Sequence, residues 1–210
     1  MAKKNKICNL FIIDASGSMN RDNKIGEVRG ELKRLFKDIK EDKDVKSTTI
    51  VFDFASSRDF NVVINTKDTK ELTDEIADSL TTRGLTALYD AIGISFNLVK
   101  DKYDGVFVSI LTDGLENDSN EFTLADIKSL IESKRKLGWA IVFSGTSEAA
   151  LEEARKMGMS MGNTVKYADN AEGVKLSAST RSAARGSYIK GVMASSLGME
   201  GVDADNLVNQ

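Results

Sequence analysis

The sequence predicts an α/β fold: a three-layer, doubly wound sandwich whose sheet of about six strands is mostly parallel, with one antiparallel edge strand. First, apolar runs of strand length alternate with segments whose apolar residues recur at helical spacing. This alternation is typical of a parallel sheet covered by helices on both faces. Second, two apolar runs end in an aspartate, at Asp14 and Asp113. Third, two neighbouring strand patterns are separated only by a Ser-Ser break, which indicates a hairpin.

The first half of the chain contains three predicted strands and one long helix. Residues 7–13 are almost wholly apolar, so we expect them to form a buried central strand. A helix of about five turns follows, because six apolar residues recur at helical spacing between charged ones: Ile25, Val28, Leu32, Leu35, Phe36 and Ile39. Strands are then predicted over 47–55 and 58–65. Such closely joined strands must be antiparallel, which makes the second an edge strand.

The second half alternates helices and strands more regularly. Thr86 falls at the N-terminus of a predicted helix, where its hydroxyl can cap the helix or ligate a metal. Thr123 is a candidate N-cap, with Asp126 three residues on. In order, we predict a short helix over 69–80, a helix from Thr86 to about Val99, a strand over 105–112, a helix over 120–137, a strand over 139–145, a helix over 147–157 and a strand over 163–168.

The chain of 210 residues fits one α/β domain with a full core. We assign residues 1–186 to this domain, with a last helix within 170–186. Residues 187–210 form a C-terminal tail rich in Gly, Ser and small residues. This composition is typical of a mobile segment unless something holds it.

Composition excludes several kinds of chemistry. The chain has no histidine, which rules out within it a Ser–His–Asp triad, a Cys–His pair and a His-ligated zinc site. The single cysteine, Cys8, cannot form an intrachain disulfide, and its place in the first strand predicts a buried, inert thiol.

Charge and hydropathy predict an ordinary soluble protein. The net charge is −3 and 41% of residues are apolar. Basic and acidic residues are interleaved except at Lys3-Lys4-Asn5-Lys6, interpreted as a solubilising terminus, so nucleic acid is not an expected partner. No apolar stretch approaches membrane length, and residues 7–13 are too short for a signal peptide. We therefore expect a cytoplasmic protein without membrane contact.

The loop after the first strand carries the chemistry. Asp14, Ser16 and Ser18 supply one carboxylate and two hydroxyls within five residues. Hard oxygen atoms of this kind suit Mg²⁺ or Mn²⁺ rather than a soft metal. Asp113 ends another buried strand, and the carboxyl ends of parallel strands meet at one sheet edge, so its carboxylate is expected close to that of Asp14.

These segments resemble a known family. Asp14-Ala15-Ser16-Gly17-Ser18-Met19 is similar to the DxSxS signature of von Willebrand factor A domains with a metal-ion-dependent adhesion site (MIDAS). Thr86, within 81–91, lies in a segment similar to the Gly-rich Thr loop of bacterial members, and Asp113, within 110–119, lies in a segment similar to their TDG segment. The resemblance covers roughly residues 5–170 and favours an intracellular, bacterial or phage-like type.

The resemblance implies a ligand set and a function. Ser16, Ser18 and Thr86 would bind the ion directly through their hydroxyls. Asp14 and Asp113 would bind through water or exchange into direct contact. Such an ion keeps a high effective charge, which favours a protein-binding module that presents Mg²⁺ or Mn²⁺ to an Asp or Glu of a protein partner, without enzymatic activity. The sequence indicates no oligomeric state.

Three alternatives remain open. Asp14 and Asp113 could cap turns while the hydroxyls satisfy backbone amides. The protein could be a structural subunit of an assembly, with the ion only a staple. A metal-dependent phosphohydrolase of the haloacid-dehalogenase kind is the third, but that family needs a second Asp as general acid where this chain has Ser16.

Several other residues near these segments are candidates for supporting roles. Asp53 is more readily interpreted as a solvent-exposed strand end than as a support for the ion. Asp90, one helical turn after Thr86, could orient the loop or lie on a helix surface. The residues expected to flank the ion and shape what docks there are Met19, Asn20, Glu116, Asn117 and Asp118.

Overall fold

The computed structural model describes residues 4–208, and a six-stranded sheet lies at their centre. Its strands are β1 (Lys6–Asp14), β2 (Lys46–Phe54), β3 (Phe60–Thr66), β4 (Gly105–Leu111), β5 (Ala140–Gly145) and β6 (Thr164–Lys166). Their order in space is β3-β2-β1-β4-β5-β6. Every neighbouring pair is parallel except β2 with β3. The predicted fold class is confirmed, including the antiparallel edge strand.

Helices cover both faces of the sheet. They are α1 (Lys24–Glu41), α2 (Asp74–Asp78), α3 (Leu88–Phe96), α4 (Leu124–Lys136), α5 (Glu148–Lys156) and α6 (Ala171–Ser196). One core cluster joins α1 and α6 to one face, and a second joins α3, α4 and α5 to the other. None of the helices within residues 4–208 has the length and apolar character that a membrane crossing requires.

Strand β1 is central because it is apolar on both faces. Leu10 and Ile12 pack in the cluster under α3, whereas Phe11 and Ile13 pack in the cluster under α1. Burying each such side chain contributes about 2 kcal/mol. Cys8 is also fully buried, and burial raises the pKa of its thiol to about 12. The hydrophobic effect thus fixes β1 in the interior and delivers Asp14 to the sheet edge.

Two predicted helices differ in the structure. The segment 69–80 is not one helix: a 3-10 turn, Thr69–Glu71, is separated from α2 by Leu72 and Thr73 in non-helical conformations. Leu72 turns inward and is buried, so packing overrides the helical spacing. Helix α3 begins at Leu88 and ends at Phe96, inside both predicted limits. Thr86 therefore precedes the helix, and Ala87 is its N-cap.

The C-terminal segment is held by the domain. Helix α6 continues beyond residue 186 to Ser196. The chain then folds back: Asn163 Nδ2 donates to Ala204 O (2.7 Å) and Leu207 N donates to Asn163 Oδ1 (2.7 Å). Gly191 permits this return, because a Cβ there would lie 2.7 Å from Val202 N. The division at residue 186 stays a prediction, and residues 209–210 lie outside the described part of the chain.

Candidate metal centre

The turn after β1 places Ser16 and Ser18 beside Asp14. Asp14 is fully buried, and its Oδ1 accepts a hydrogen bond from Ser16 N (2.7 Å). An Asp that bonds the backbone two residues on forms a tight turn. This turn brings Ser16 Oγ within 3.0 Å of Ser18 Oγ. One oxygen of Asp14 therefore caps a turn, as the turn-capping alternative expects. The hydroxyls of Ser16 and Ser18, however, contact each other rather than backbone amides.

Asp113 reaches the same place from the neighbouring strand. Strands β1 and β4 are parallel partners, so the residues that follow them lie side by side. Thr112 Oγ1 donates to Asp14 Oδ2 (2.6 Å), and Ser18 Oγ donates to Asp113 Oδ1 (2.5 Å). Both predicted carboxylates and both predicted serines are thus in one cluster.

The third loop adds Thr86. Two backbone hydrogen bonds tie it to the first loop, from Arg83 N to Ala15 O (2.7 Å) and from Gly17 N to Gly84 O (3.2 Å). Gly84 has φ +59°, a conformation that costs other residues energy. Thr86 Oγ1 lies 3.1 Å from where a Cβ on Gly114 would be. The structure thus brings all five predicted site residues to one sheet edge.

Lys24 is the feature that the sequence did not reveal. Its side chain is buried, and its ammonium contacts Asp113 Oδ2 and Asp169 Oδ1. Asp113 therefore lies between the Ser18 hydroxyl and the Lys24 ammonium. In the sequence, Lys24 cannot be distinguished from the other charged residues that lie between the apolar positions of this amphipathic helix. The only available signal is its position as the first residue of α1, directly after the site loop.

The electrostatics of Asp14 favour a nearby cation. Burial raises the pKa of its carboxyl from 3.8 to about 6, while hydrogen bonds from Ser16 and Thr112 oppose the rise. The neighbouring carboxylate of Asp113 adds to it. A positive charge close to these two groups would stabilise the ionised form of Asp14.

The donor set fits a hard divalent cation. Within residues 4–208, no three side chains among His, Cys, Asp and Glu come together as a metal-binding cluster. An ion at this edge would depend on hydroxyl oxygens together with the two carboxylates. Thr86 is only 3% exposed, and its Oγ1 lies beside Gly114 at the same edge. A cation at this edge would be within reach of this hydroxyl together with those of Ser16 and Ser18, and neutral oxygen atoms of this kind are ligands that Mg²⁺ accepts.

Two further aspartates position loops. The expectation that Asp53 is an exposed strand end is wrong: it is 1% exposed, and its Oδ1 accepts from Arg83 Nη2 (2.6 Å). It thereby anchors the loop that carries Thr86. Asp90 is fully buried, and its carboxylate accepts N–H groups of residues 120–122 at 2.8–2.9 Å. Of the two interpretations, loop orientation is the one the structure shows.

The residues expected to flank the ion have different roles. Met19 is fully buried in the core and cannot shape a docking surface. Glu116 accepts from Tyr89 N (2.9 Å), and Asn117 Oδ1 accepts from Thr86 N (3.0 Å). Asp118 accepts from Ser57 N (2.7 Å), and Asn20 is exposed. Three of the five therefore hold the loops together.

Comparison with known proteins gives a family match. The sequence model of one protein family, the von Willebrand factor type A domain, matches residues 10–179. That range includes all five candidate site residues and every strand except the first residues of β1. A comparison with curated protein sequences found no significant match.

Solved structures share the fold at low identity. The vWF domain of the type V pili tip protein Mfa5 from Porphyromonas gingivalis matches with a TM-score of 0.64 and 12% identity, over 85% of this chain and 96% of that one. The PilB minor pilin from Streptococcus sanguinis matches with a TM-score of 0.63 and 15% identity, over 85% of this chain and 61% of that one. Proximal thread matrix protein 1 from the mussel byssus, with a zinc-occupied MIDAS motif, matches with a TM-score of 0.59 and 17% identity, over 83% and 46%. The chain therefore spans about three fifths of the pilin and less than half of the byssus protein.

Proposed function

The chain belongs to the von Willebrand factor type A domain family, and on that premise we propose that it is a protein-binding module that uses Mg²⁺ or Mn²⁺ to hold an acidic side chain of a protein partner. One observation carries the proposal: the hydroxyls of Ser16, Ser18 and Thr86 and the carboxylates of Asp14 and Asp113 lie together at one sheet edge. The byssus protein with a zinc-occupied MIDAS motif supports a divalent ion in this fold.

Ser16, Ser18 and Thr86 would hold the ion through neutral oxygens, with Asp14 and Asp113 balancing its charge. When bound, such an ion supplies a concentrated positive charge that a partner's carboxylate can neutralise. Lys24 contributes a second positive charge beside Asp113. Because the Lys24 ammonium already neutralises Asp113, the pocket attracts a cation less strongly, and we expect weak ion binding in the absence of a partner.

The surface around the site supports docking. Leu85 directly precedes Thr86, and Leu115 lies two residues after Asp113; they are 53% and 44% exposed. Exposed leucines beside a polar centre provide apolar contact area, which binding of a carboxylate alone would lack. A partner would thus meet a polar centre with an apolar rim.

We also propose that the site is not catalytic. Asp14 is the counterpart of a phosphatase nucleophile, but it is fully buried, and its two oxygens accept from Ser16 N and Thr112 Oγ1. A carboxylate in these bonds is poorly placed to attack a phosphoryl group. Turnover of p-nitrophenyl phosphate that needs Mg²⁺ and is lost in Asp14→Asn would contradict this. The cytoplasmic location and the intracellular bacterial or phage-like type stay predictions.

A peptide selection tests the function without knowing the partner. We expect peptides selected on the protein in Mg²⁺ to be enriched in Asp or Glu and to be released by EDTA. Thr86→Ala should weaken their binding about tenfold or more, because a lost ligand to a charged group costs about 1.5–3 kcal/mol. The matched control is Ser133→Ala, which removes an exposed hydroxyl on α4.

Two results would count against the proposal. If the selected peptides carry no acidic consensus, or if Thr86→Ala binds them as tightly as the native protein, the ion does not hold the partner. If binding instead survives EDTA in both Thr86→Ala and Asp113→Ala, the structural-subunit alternative is favoured. A thermal melt on the same samples shows whether each variant is folded.

A further inference from the structure

A second site lies at the opposite end of the sheet from the candidate metal centre. It is a cavity of about 510 Å³ beside the amino ends of β1 and β2. Four stretches of the chain that are distant in sequence meet there: residues 4–6, 39–48, 67–69 and 101–103. We call it the lysine cavity, because seven lysines within residues 4–208 line it: Lys4, Lys6, Lys40, Lys43, Lys46, Lys67 and Lys102.

The cavity has a strong local excess of positive charge. Among the described lining residues only Asp42 and Asp101 are acidic, so these seven lysines and two aspartates give a formal charge of +5. The whole chain has a net charge of −3. Among the described residues, only Lys67 of the seven forms an ion pair, with Asp101 at 2.5 Å. The ammonium groups of Lys4 and Lys43 donate to the backbone oxygens of Lys43 and Lys40 but have no carboxylate partner in the described structure, so their charge is not neutralised.

The sheet register forces two of these lysines together. Lys6 and Lys46 are the first residues of their strands and are direct partners in the parallel pair β1–β2. Like charges opposite each other on adjacent strands repel. Within residues 4–208 neither ammonium has a carboxylate within 4.0 Å. An anion between the two side chains would remove the repulsion.

The floor of the cavity is suited to an organic group. Ile39 and Val45 are buried beneath it, and the half-buried ring of Tyr103 forms part of its wall. Ser47 Oγ, in the same lining, is enclosed and has no hydrogen-bond partner in the described structure. Apolar walls with a few polar groups are typical of small-molecule pockets, whose volumes run from about 300 to 1,000 Å³.

We propose that the lysine cavity binds a small molecule that carries two or more phosphate groups, such as a nucleoside triphosphate. Phosphate oxygens are strong acceptors, and lysine binds them as a mobile point charge. Several ammonium groups around one concave space match several linked phosphates better than they match a single carboxylate. The apolar floor accommodates the organic part of the ligand. This inference is independent of the proposed function, because the two sites occupy opposite ends of the strands.

Calorimetry on the full chain tests the proposal, with ATP, tripolyphosphate and adenosine as probes. EDTA is present throughout, so that binding of the nucleotide through an ion at the metal centre is excluded. We expect ATP to bind, and its affinity to fall when the salt concentration is raised, because salt screens exposed charges. Weaker binding of tripolyphosphate would show that the organic part contributes. Equal binding would assign the affinity to the phosphates alone, which supports the same site.

Matched variants locate the binding. Lys6→Gln/Lys46→Gln should raise the Kd for ATP at least tenfold, whereas Lys128→Gln/Lys136→Gln removes two exposed charges of α4 and should leave it unchanged. In the absence of ligand, the first double variant should melt no lower than the native protein, because it removes a like-charge contact.

Three outcomes would overturn the proposal. They are no binding of ATP or tripolyphosphate at millimolar concentration, equal loss of affinity in both double variants, and tighter binding of a single-stranded oligonucleotide than of ATP. The last result would assign the surface to nucleic acid instead.

Discussion

Replacing Asp14 by asparagine measures the free energy that burial of this carboxylate costs the ion-free protein. In the ion-free protein, burial raises the pKa of Asp14 from 3.8 to about 6. A carboxyl whose pKa is higher in the folded state favours folding below its unfolded pKa, and that contribution is lost as the pH rises through the folded pKa. The difference of about two between the values corresponds to roughly 3 kcal/mol at pH 7.

Asparagine can keep both hydrogen bonds of Asp14. Its Oδ1 can accept from Ser16 N as the carboxylate does, and its Nδ2 can donate to Thr112 Oγ1. The Thr112 hydroxyl can then donate its own hydrogen to Gly114 O, which lies 3.2 Å away. In EDTA at pH 7 we therefore expect Asp14→Asn to be more stable than the native protein, by up to about 3 kcal/mol. At pH 4 the two should be nearly equal.

Urea unfolding at pH 4 and pH 7 measures the effect. The matched control is Asp90→Asn, since Asp90 is equally buried but accepts three main-chain N–H groups. That variant should lose about 1–3 kcal/mol at pH 7. A loss of stability in Asp14→Asn of the same size at both pH values would refute the reasoning. Added Mg²⁺ should stabilise the native protein but not Asp14→Asn.

Three further predictions concern the metal centre and the C-terminal segment. Lys24→Met should unfold in EDTA at lower urea concentration, by about 3–5 kcal/mol, because it leaves a buried carboxylate unpaired; calorimetry should show tighter Mg²⁺ binding, and unchanged affinity would contradict the role given to Lys24. Zinc should not be preferred over Mg²⁺ or Mn²⁺, because no thiolate or imidazole is among the proposed ligands; sub-micromolar zinc binding lost in Ser16→Ala would be contrary to this. Gly191→Ala should cost about 1–3 kcal/mol in urea unfolding through its clash with Val202, whereas Gly186→Ala, which has open space around it, should not destabilise the helix; equal stability of the two would show that the tail is not packed.

Sequence patterns revealed most of the fold because each strand and most helices carry a strong hydrophobic signal. Residues 7–13 are apolar on both faces, which only a central strand requires. The capping box at Thr123 and Asp126 is present as the residue types suggested. The spacing of Leu72, Ile76 and Leu80 predicts one helix over 69–80, but the burial of Leu72 in a non-helical conformation divides the segment.

The candidate site was predicted in its residues but not in its charge balance. The order of the strands alone predicts that Asp14 and Asp113 lie close together. The family resemblance is what adds Thr86 to them. Lys24 could not be predicted, because its partner Asp169 is far away in sequence and the contact depends on how α1 packs. The sequence does not reveal the lysine cavity for a similar reason: its lysines come from four separate stretches of the chain that the sheet brings together.

The position of a bound ion tests the central claim most directly. Crystals of the protein soaked in Mn²⁺ should show one strong anomalous peak at the carboxyl edge of the sheet. We predict that it lies within about 2.0–2.3 Å of hydroxyl oxygens of Ser16, Ser18 and Thr86, with the remaining position open to a carboxylate from a peptide or a neighbouring molecule. No peak at this edge in well-ordered, Mn²⁺-soaked crystals, or a peak bound only by other residues, would contradict the account.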